Sequence, residues 1–323
     1  MGIFANPLTD LLEYEDFSRD FLKGTDPVGM TGCIDSEKVH FMSTFLGEKK
    51  VQLVVTYNEQ RAREIEEDYK LFCSQVYVIP PRDLIFFSAD LQGNAIIAER
   101  MKAFAALYQN EAKVIITTMD ALMSAAVPFE QLMSHVIKLK EGDELDLEKL
   151  KHDLTVMGYE RVGRVEEPGQ FTVHGGIADV YPLTMEVPVR IELWGDEIDT
   201  IRCFEPQSQR SMDQIECVSV FPAAEVIADD TARRRAVGMI QNELESQLAV
   251  FKKVKEPDKA KRLREETNRI LEALGEDVVL EAPDSYISYF YPRTVQLSEY
   301  FDEKNTLVFL DEPMRLKERG DGV

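Results

Sequence analysis

The stretch from Gly158 to Arg210, GYERVGRVEEPGQFTVHGGIADVYPLTMEVPVRIELWGDEIDTIRCFEPQSQR, restricts the fold more than any other part of the chain. It divides into short apolar-alternating runs separated by turn residues. Pro168-Gly169, Gly175-Gly176 and Gly195-Asp196 each supply the backbone freedom of a tight connection, so the runs read as consecutive short strands. Within Val189–Trp194 the side chains alternate: Val189, Ile191 and Leu193 fall on one face, Arg190, Glu192 and Trp194 on the other. The first is a core face. The second sets the only Trp of the chain beside an Arg, and these residue types are the ones most enriched at binding hot spots. From the residues alone, Trp194 either packs under a neighbouring helix, as on sheets covered on both faces, or is presented to a partner.

At 323 residues the chain is long enough for two or three domains with their own cores. Its formal charge of −22 repels a phosphate backbone over most of the surface, which argues against general nucleic-acid binding. Residues 134–216 supply no basic patch by composition, with nine Lys/Arg against eighteen Asp/Glu. Cys33, Cys73, Cys203 and Cys217 form no C-x-x-C pair, and His40, His135, His152 and His174 are scattered, so free thiols in a reducing compartment are expected and no metal or other cofactor. No apolar run approaches a membrane span, and MGIFANPLTD lacks a signal-peptide pattern, so a cytoplasmic chain with no membrane partner is expected.

The first third alternates helices and strands. Residues 8–23 have helical spacing that ends at Gly24. A glycine-bearing loop with Gly29 and Gly32 leads into the periodic segment Glu37–Phe45, followed by the apolar strand Val51–Thr56. A phosphate-binding P-loop occupies such a place, and it needs G-x-x-x-x-G-K-[ST]. Aligned from Gly29, Ile34 stands at the second Gly, Asp35 at the Lys, and only Ser36 matches. A carboxylate at that Lys repels a triphosphate. Asn58 is placed to cap a helix Glu59–Phe72; Val76–Ile79 and Val114–Thr118 are further strands, and residues 95–108 a further helix. This alternation specifies an α/β domain with a parallel sheet.

Residues 145–158 read as a helix with Asp143 or Asp146 near its start and Gly158 at its stop. With the strands after it, this helix makes a small inserted α+β domain. Beyond Val218, Thr231 is placed to cap a helix reaching about Phe251, residues 252–261 form a charged break, and 259–274 a second helix whose charges read as a solvated face. Thr306–Leu310 is an apolar strand ending in Asp311-Glu312, the place of a Walker B carboxylate pair. The residues after Pro313 read as a short charged tail, the cut end of a longer protein.

The ordered string GY-RV--V--PG-F-V-GGI-D-YPL, then P-RIELWGDEID-IR-F-P-SQRS, resembles the UvrB-homology module at the N-terminus of bacterial transcription-repair coupling factors, the Mfd family. The resemblance covers nearly the whole chain. It implies a degenerate P-loop (RecA-like) parallel-sheet domain with an inserted small antiparallel-sheet domain: 1–130 as domain 1a, 131–216 as a UvrA-binding domain 2, and 217–323 as a return segment 1b. It also makes the Gly29–Ser36 loop and Asp311-Glu312 relics of a nucleotide site, so the chain itself is not an enzyme, although the parent would be an ATP-dependent DNA translocase. The implied role is an adaptor that recruits the UvrA excision-repair protein to RNA polymerase stalled at lesions, with RNA polymerase and DNA reached only through other domains. Carried over by position, the UvrA contacts are Arg190, Trp194 and a second basic position that falls on His174. An imidazole is a weak cation near neutral pH, which sets His174 apart from the family pattern. The other readings are a UvrB-like damage-verification subunit, against which stands the short connection Ser88–Gly93 where a DNA-clamping hairpin would sit, and an ATPase fragment, against which stand Ile34 and Asp35.

Overall fold

The computed structural model describes residues 8, 14–24, 26–82, 91–227, 229–253, 256–275 and 286–321, without the side chains of 91–94 and 275. Ser88–Asp90, the first half of the short connection Ser88–Gly93, lie outside these residues. The chain divides into two compact units: Met1–Arg82, Ala103–Ser124 and Leu297–Val323 form the first, Asp83–Lys102 and Ala125–Gln296 the second.

The first unit is built on a four-stranded parallel sheet in the order Thr306–Leu310, Val51–Thr56, Val114–Thr118, Val76–Ile79. Val51–Thr56 and Val114–Thr118 are buried along their whole length, as central parallel strands covered on both faces must be. The helix Glu59–Lys70 is capped by Asn58, whose side chain accepts the Arg61 N–H at 2.8 Å. Its Ala62, Ile65 and Tyr69 join Val54, Val76, Val78 and Ile116 in one core. The buried Tyr69 hydroxyl donates to Gln52 Oε1 at 2.8 Å, and Gln52 Nε2 donates to the Met42 carbonyl at 3.1 Å, so these interior polar groups are paired. A second cluster sets Tyr14, Phe17 and Phe21 of the helix Tyr14–Lys23 against Phe41, Phe45 and Leu307. The segment after Glu312 is a helix, Pro313–Gly320, and not a featureless tail: Pro313 sits in its first turn, where no N–H is needed, and Leu316 is buried.

The second unit holds a six-stranded sheet in the order Ser211–Gln214, Glu197–Phe204, Val189–Trp194, Ile177–Val180, Gln170–His174, Glu160–Arg161. Every pairing is antiparallel except the last. Gly175 and Gly195 take positive φ at the two tight hairpins and Gly169 at the turn before Gln170–His174. The helix Leu147–Val156 is capped by Asp146, which accepts two backbone N–H groups at 2.9 and 3.2 Å, and it buries Leu150 and Leu154 against Phe171, Val189, Ile191 and Ile201. Cys217–Val220 pairs antiparallel with Ile137–Lys140 and adds Val218 and Val220 to the same core. The stretch from residue 217 to Gln296 thus falls in the compact unit of the inserted sheet, and Leu297–Val323 in the first. A buried ion pair of Arg100 with Glu225, Nη2 to Oε2 at 3.1 Å, lies in this unit too. Two long helices come next, Asp230–Lys253 and Pro257–Gly275. Asp229 and not Thr231 caps the first, accepting the Ala232 N–H at 2.7 Å. Pro257 opens the second instead of lengthening the break, because proline is favoured in a first helical turn.

Candidate functional site

The inserted sheet has one packed face and one graded face. Val189 and Ile191 are wholly buried beneath the helix side, as their alternation predicts. On the opposite face the register sets residues in rows across the strands. Thr172, Asp179, Arg190 and Arg202 pair in one row; His174, Ile177, Glu192 and Thr200 in the next; Trp194 and Glu197 in a third, beside the hairpin turn. Burial falls from row to row. Thr172 and Asp179 are buried, Ile177 is 40 % exposed, and Trp194 is 84 % exposed. None of the described residues covers Trp194.

Arg190 is not a free cation on this outer face. Its Nε and Nη2 donate to Asp179 Oδ1 and Oδ2 at 2.8 and 2.7 Å, a two-point pairing across adjacent strands. Its guanidinium carbon lies 4.8 Å from the centroid of Phe204, which is buried with Val165 and Tyr181 at the closed end of the face. Gln209, in the left-handed region at φ 59°, donates to the Val165 and Pro206 carbonyls at 3.1 and 2.7 Å and so holds the strand-end loop beside Arg190. The hydrogen bonds to Asp179 raise the Arg190 pKa above its ordinary value. Nη2 also donates to Gln209 Oε1 at 3.5 Å, so three of the five N–H groups are engaged inside the chain. His174 ends its strand exposed, directly across from Ile177. Asp179 and Ile177 belong to this face too; both stand in the string GGI-D-YPL, but only the cross-strand register sets them beside Arg190 and His174.

In the first unit, Gly29 and Gly32 lie in the loop before the helix Asp35–Ser43, and Ile34 stands at its N-cap with its N–H donated to Glu37 Oε2 at 3.1 Å. Asp35 opens that helix and lies 3.4 Å from Arg61 Nη2; Ser36 is exposed. Asp311 is buried at the end of its strand. It accepts from Lys38 Nζ at 3.0 Å, from the Thr56 hydroxyl at 3.0 Å and from Arg61 Nε at 3.3 Å. Glu312, in the left-handed region at φ 55°, accepts from Lys38 Nζ at 2.6 Å. The two strand-end carboxylates therefore meet two cations of the chain itself. Desolvation works against the Lys38 charge, but hydrogen bonds to Glu312 and Asp311 outweigh it and hold its pKa above the ordinary value. Lys38 and Arg61 lie outside the phosphate-loop pattern and were not singled out in the sequence. With Asp35, Glu64, Asp311 and Glu312 around Lys38 and Arg61, the local balance is four carboxylates to two cations, an unfavourable setting for phosphate groups.

Residues 137–225, which contain the graded face, match the family model described as the UvrB interaction domain. The chain is 30 % identical over 319 residues to a transcription-repair-coupling factor of Bacillus subtilis (strain 168), covering 97 % of this chain and 27 % of the relative. It is 31 % identical over 307 residues to the transcription-repair-coupling factor of Staphylococcus haemolyticus (strain JCSC1435), covering 93 % of this chain and 25 % of that one. It thus spans about a quarter of the length of the curated relatives it matches. Taken with the mixed architecture of parallel and inserted antiparallel sheets, these matches place the chain in the transcription-repair coupling factor family, as its UvrB-homology module with a UvrB interaction domain at residues 137–225.

Proposed function

We propose that the chain is a non-catalytic adaptor that docks the UvrA excision-repair protein on the graded face of its inserted sheet, with Trp194 as apolar anchor, Arg190 as oriented donor and His174 at the rim. The observation that carries this reading is the exposure of Trp194, 84 %, on a face whose other end is closed around Arg190. An indole left in water on the same strand face as a guanidinium fixed by Asp179 offers apolar area to bury and a donor held in place, so little ordering entropy is lost on binding. Hot spots of this kind combine Trp and Arg near the centre of an interface.

The Gly29–Ser36 loop, with Asp311 and Glu312, is in this reading a nucleotide site that has lost its function. The support is the Lys38 and Arg61 pairing, which occupies the carboxylates that would hold a metal–nucleotide complex. Coupling to RNA polymerase, contact with DNA and ATP-driven translocation fall to other parts of a longer protein, working in the cytoplasm. Among the described residues no helix is long and apolar enough to cross a membrane.

The direct test is co-purification of this chain with purified UvrA at physiological salt. Stable co-elution is expected. Failure of the two to associate at micromolar concentration contradicts the adaptor reading.

A further inference from the structure

In a chain of net charge −22, the surfaces that attract anions are few. One lies where the helices Asp230–Lys253 and Pro257–Gly275 meet. The described residues of 252–264 hold six Lys/Arg and two Asp/Glu, an excess of four, so the remainder of the chain carries −22 − 4 = −26. The ion pairs there use little of this charge: Lys259 pairs with Glu256 at 2.8 Å, and Lys261 reaches Glu265 at 3.8 Å. Among the described residues no carboxylate lies within ion-pair distance of Lys252, Lys253, Arg262 or Arg264.

The same place holds a groove of about 660 Å³. Leu248, Phe251 and Pro257 contribute apolar lining, Lys252, Lys261 and Arg264 contribute cations, and the one lining carboxylate, Glu256, is paired with Lys259. Lys261 and Arg264 are three residues apart on one helix and so point to the same side. Leu248 and Phe251 are only partly buried. A helical pair satisfied by its own packing leaves no reason for part-buried apolar side chains to share one concave surface with Lys252 and Arg264, which have no ion pair among the described residues.

The pairing of these two features selects the ligand. A nucleic-acid strand neutralises the cations but finds one aromatic ring to stack on, and its bases leave Leu248 and Pro257 uncovered. A segment that carries carboxylates around a bulky apolar side chain satisfies both the lining and the rim, in the manner of a helix laid in a groove. We propose that this groove is a docking site for an acidic amphipathic peptide segment of a partner protein, distinct from the sheet face of Arg190 and Trp194.

The experiment is fluorescence anisotropy on the whole chain at physiological salt with three labelled probes: a short synthetic peptide with Glu on one helical face and Leu and Phe on the other, a Glu-rich peptide of equal charge without apolar residues, and an oligothymidylate. Saturable binding is expected for the first probe, and binding weaker by about tenfold or more for the other two. Lys261→Glu/Arg264→Glu should weaken the first probe by about tenfold or more, and Phe251→Ala should weaken it as well. Lys261→Gln/Arg264→Gln serves if the charge reversal fails to fold. Lys317→Glu/Arg319→Glu, on the helix Pro313–Gly320, makes the same change in net charge as the groove reversal and controls for it. The proposal is overturned if the amphipathic peptide does not saturate, if the Glu-rich peptide binds equally, if oligothymidylate binds more tightly, or if the groove variants behave like Lys317→Glu/Arg319→Glu.

Discussion

The Arg190 guanidinium and the Asp179 carboxylate meet side-on across neighbouring strands, with both oxygens engaged at 2.8 and 2.7 Å. Asp179 is buried, and Arg190 is its cation. Removing Arg190 therefore leaves a carboxylate stranded in the sheet, so Arg190→Ala should not leave the fold untouched, as a free surface arginine would. Breaking a fully buried pair costs roughly 3–5 kcal/mol. The Arg190 side chain keeps 21 % exposure, so water screens part of that, and a loss of about 2–3 kcal/mol is expected. Denaturant unfolding of Arg190→Ala and of Arg190→Met/Asp179→Leu checks this. The double variant should recover most of the loss, and a single variant as stable as the parent would show the pair to be inert.

Val189 and Ile191 test the other face. Both are wholly buried in the core under the helix Leu147–Val156. Truncating either to Ala opens a cavity and should cost roughly 1–4 kcal/mol. Melting temperature is the readout, and UvrA affinity measured well below the melt should stay near that of the parent.

Nucleotide provides a third test. Lys38 and Arg61 already answer Asp311 and Glu312, and Asp35 adds negative charge where a phosphate-loop lysine would stand. Millimolar Mg-ATP should leave the melting temperature unchanged. A site with a dissociation constant a hundredfold below the ligand concentration would add about 2.7 kcal/mol and be plainly visible. Such a shift, removed by Asp311→Ala, would contradict the relic reading.

Lys38 also predicts an alkaline limit. Its folded pKa is raised above the ordinary 10.5, so its contribution is fully present below the unfolded value and is lost as pH rises through the folded value. The stability difference between the parent and Lys38→Met should be constant from about pH 7 to about pH 9.5 and shrink above about pH 10.5. Measuring both proteins cancels the tyrosines that titrate in the same range. A difference that stays flat throughout would show that Lys38 is not bound as an ammonium.

Local chemistry was largely legible in the sequence. The strands Val76–Ile79 and Val114–Thr118 lie where their apolar runs placed them, and Asn58 caps the helix it precedes. These features depend on residues a few positions apart. The near misses are local competitions: Asp229 takes the cap offered by Thr231, and Pro257 starts a helix instead of extending a break. Long-range pairing was not legible. Lys38 and Asp311 are 273 residues apart in sequence, and nothing local in either marks the other. Alternation placed Arg190 and Trp194 on the outer face correctly, but not the difference between them. Asp179 and Phe204 close one end of that face, and the other end stays open at Trp194.

The central claim is that the open end of this face binds UvrA, and the affinity and melting temperature of Trp194→Ala test it most directly. The indole is 84 % exposed, so its loss should change stability by no more than about 0.5 kcal/mol. The same substitution should weaken UvrA binding by about 2 kcal/mol, roughly thirtyfold. A variant that melts with the parent and binds UvrA about thirtyfold more weakly is the predicted result; one that binds UvrA like the parent contradicts the account.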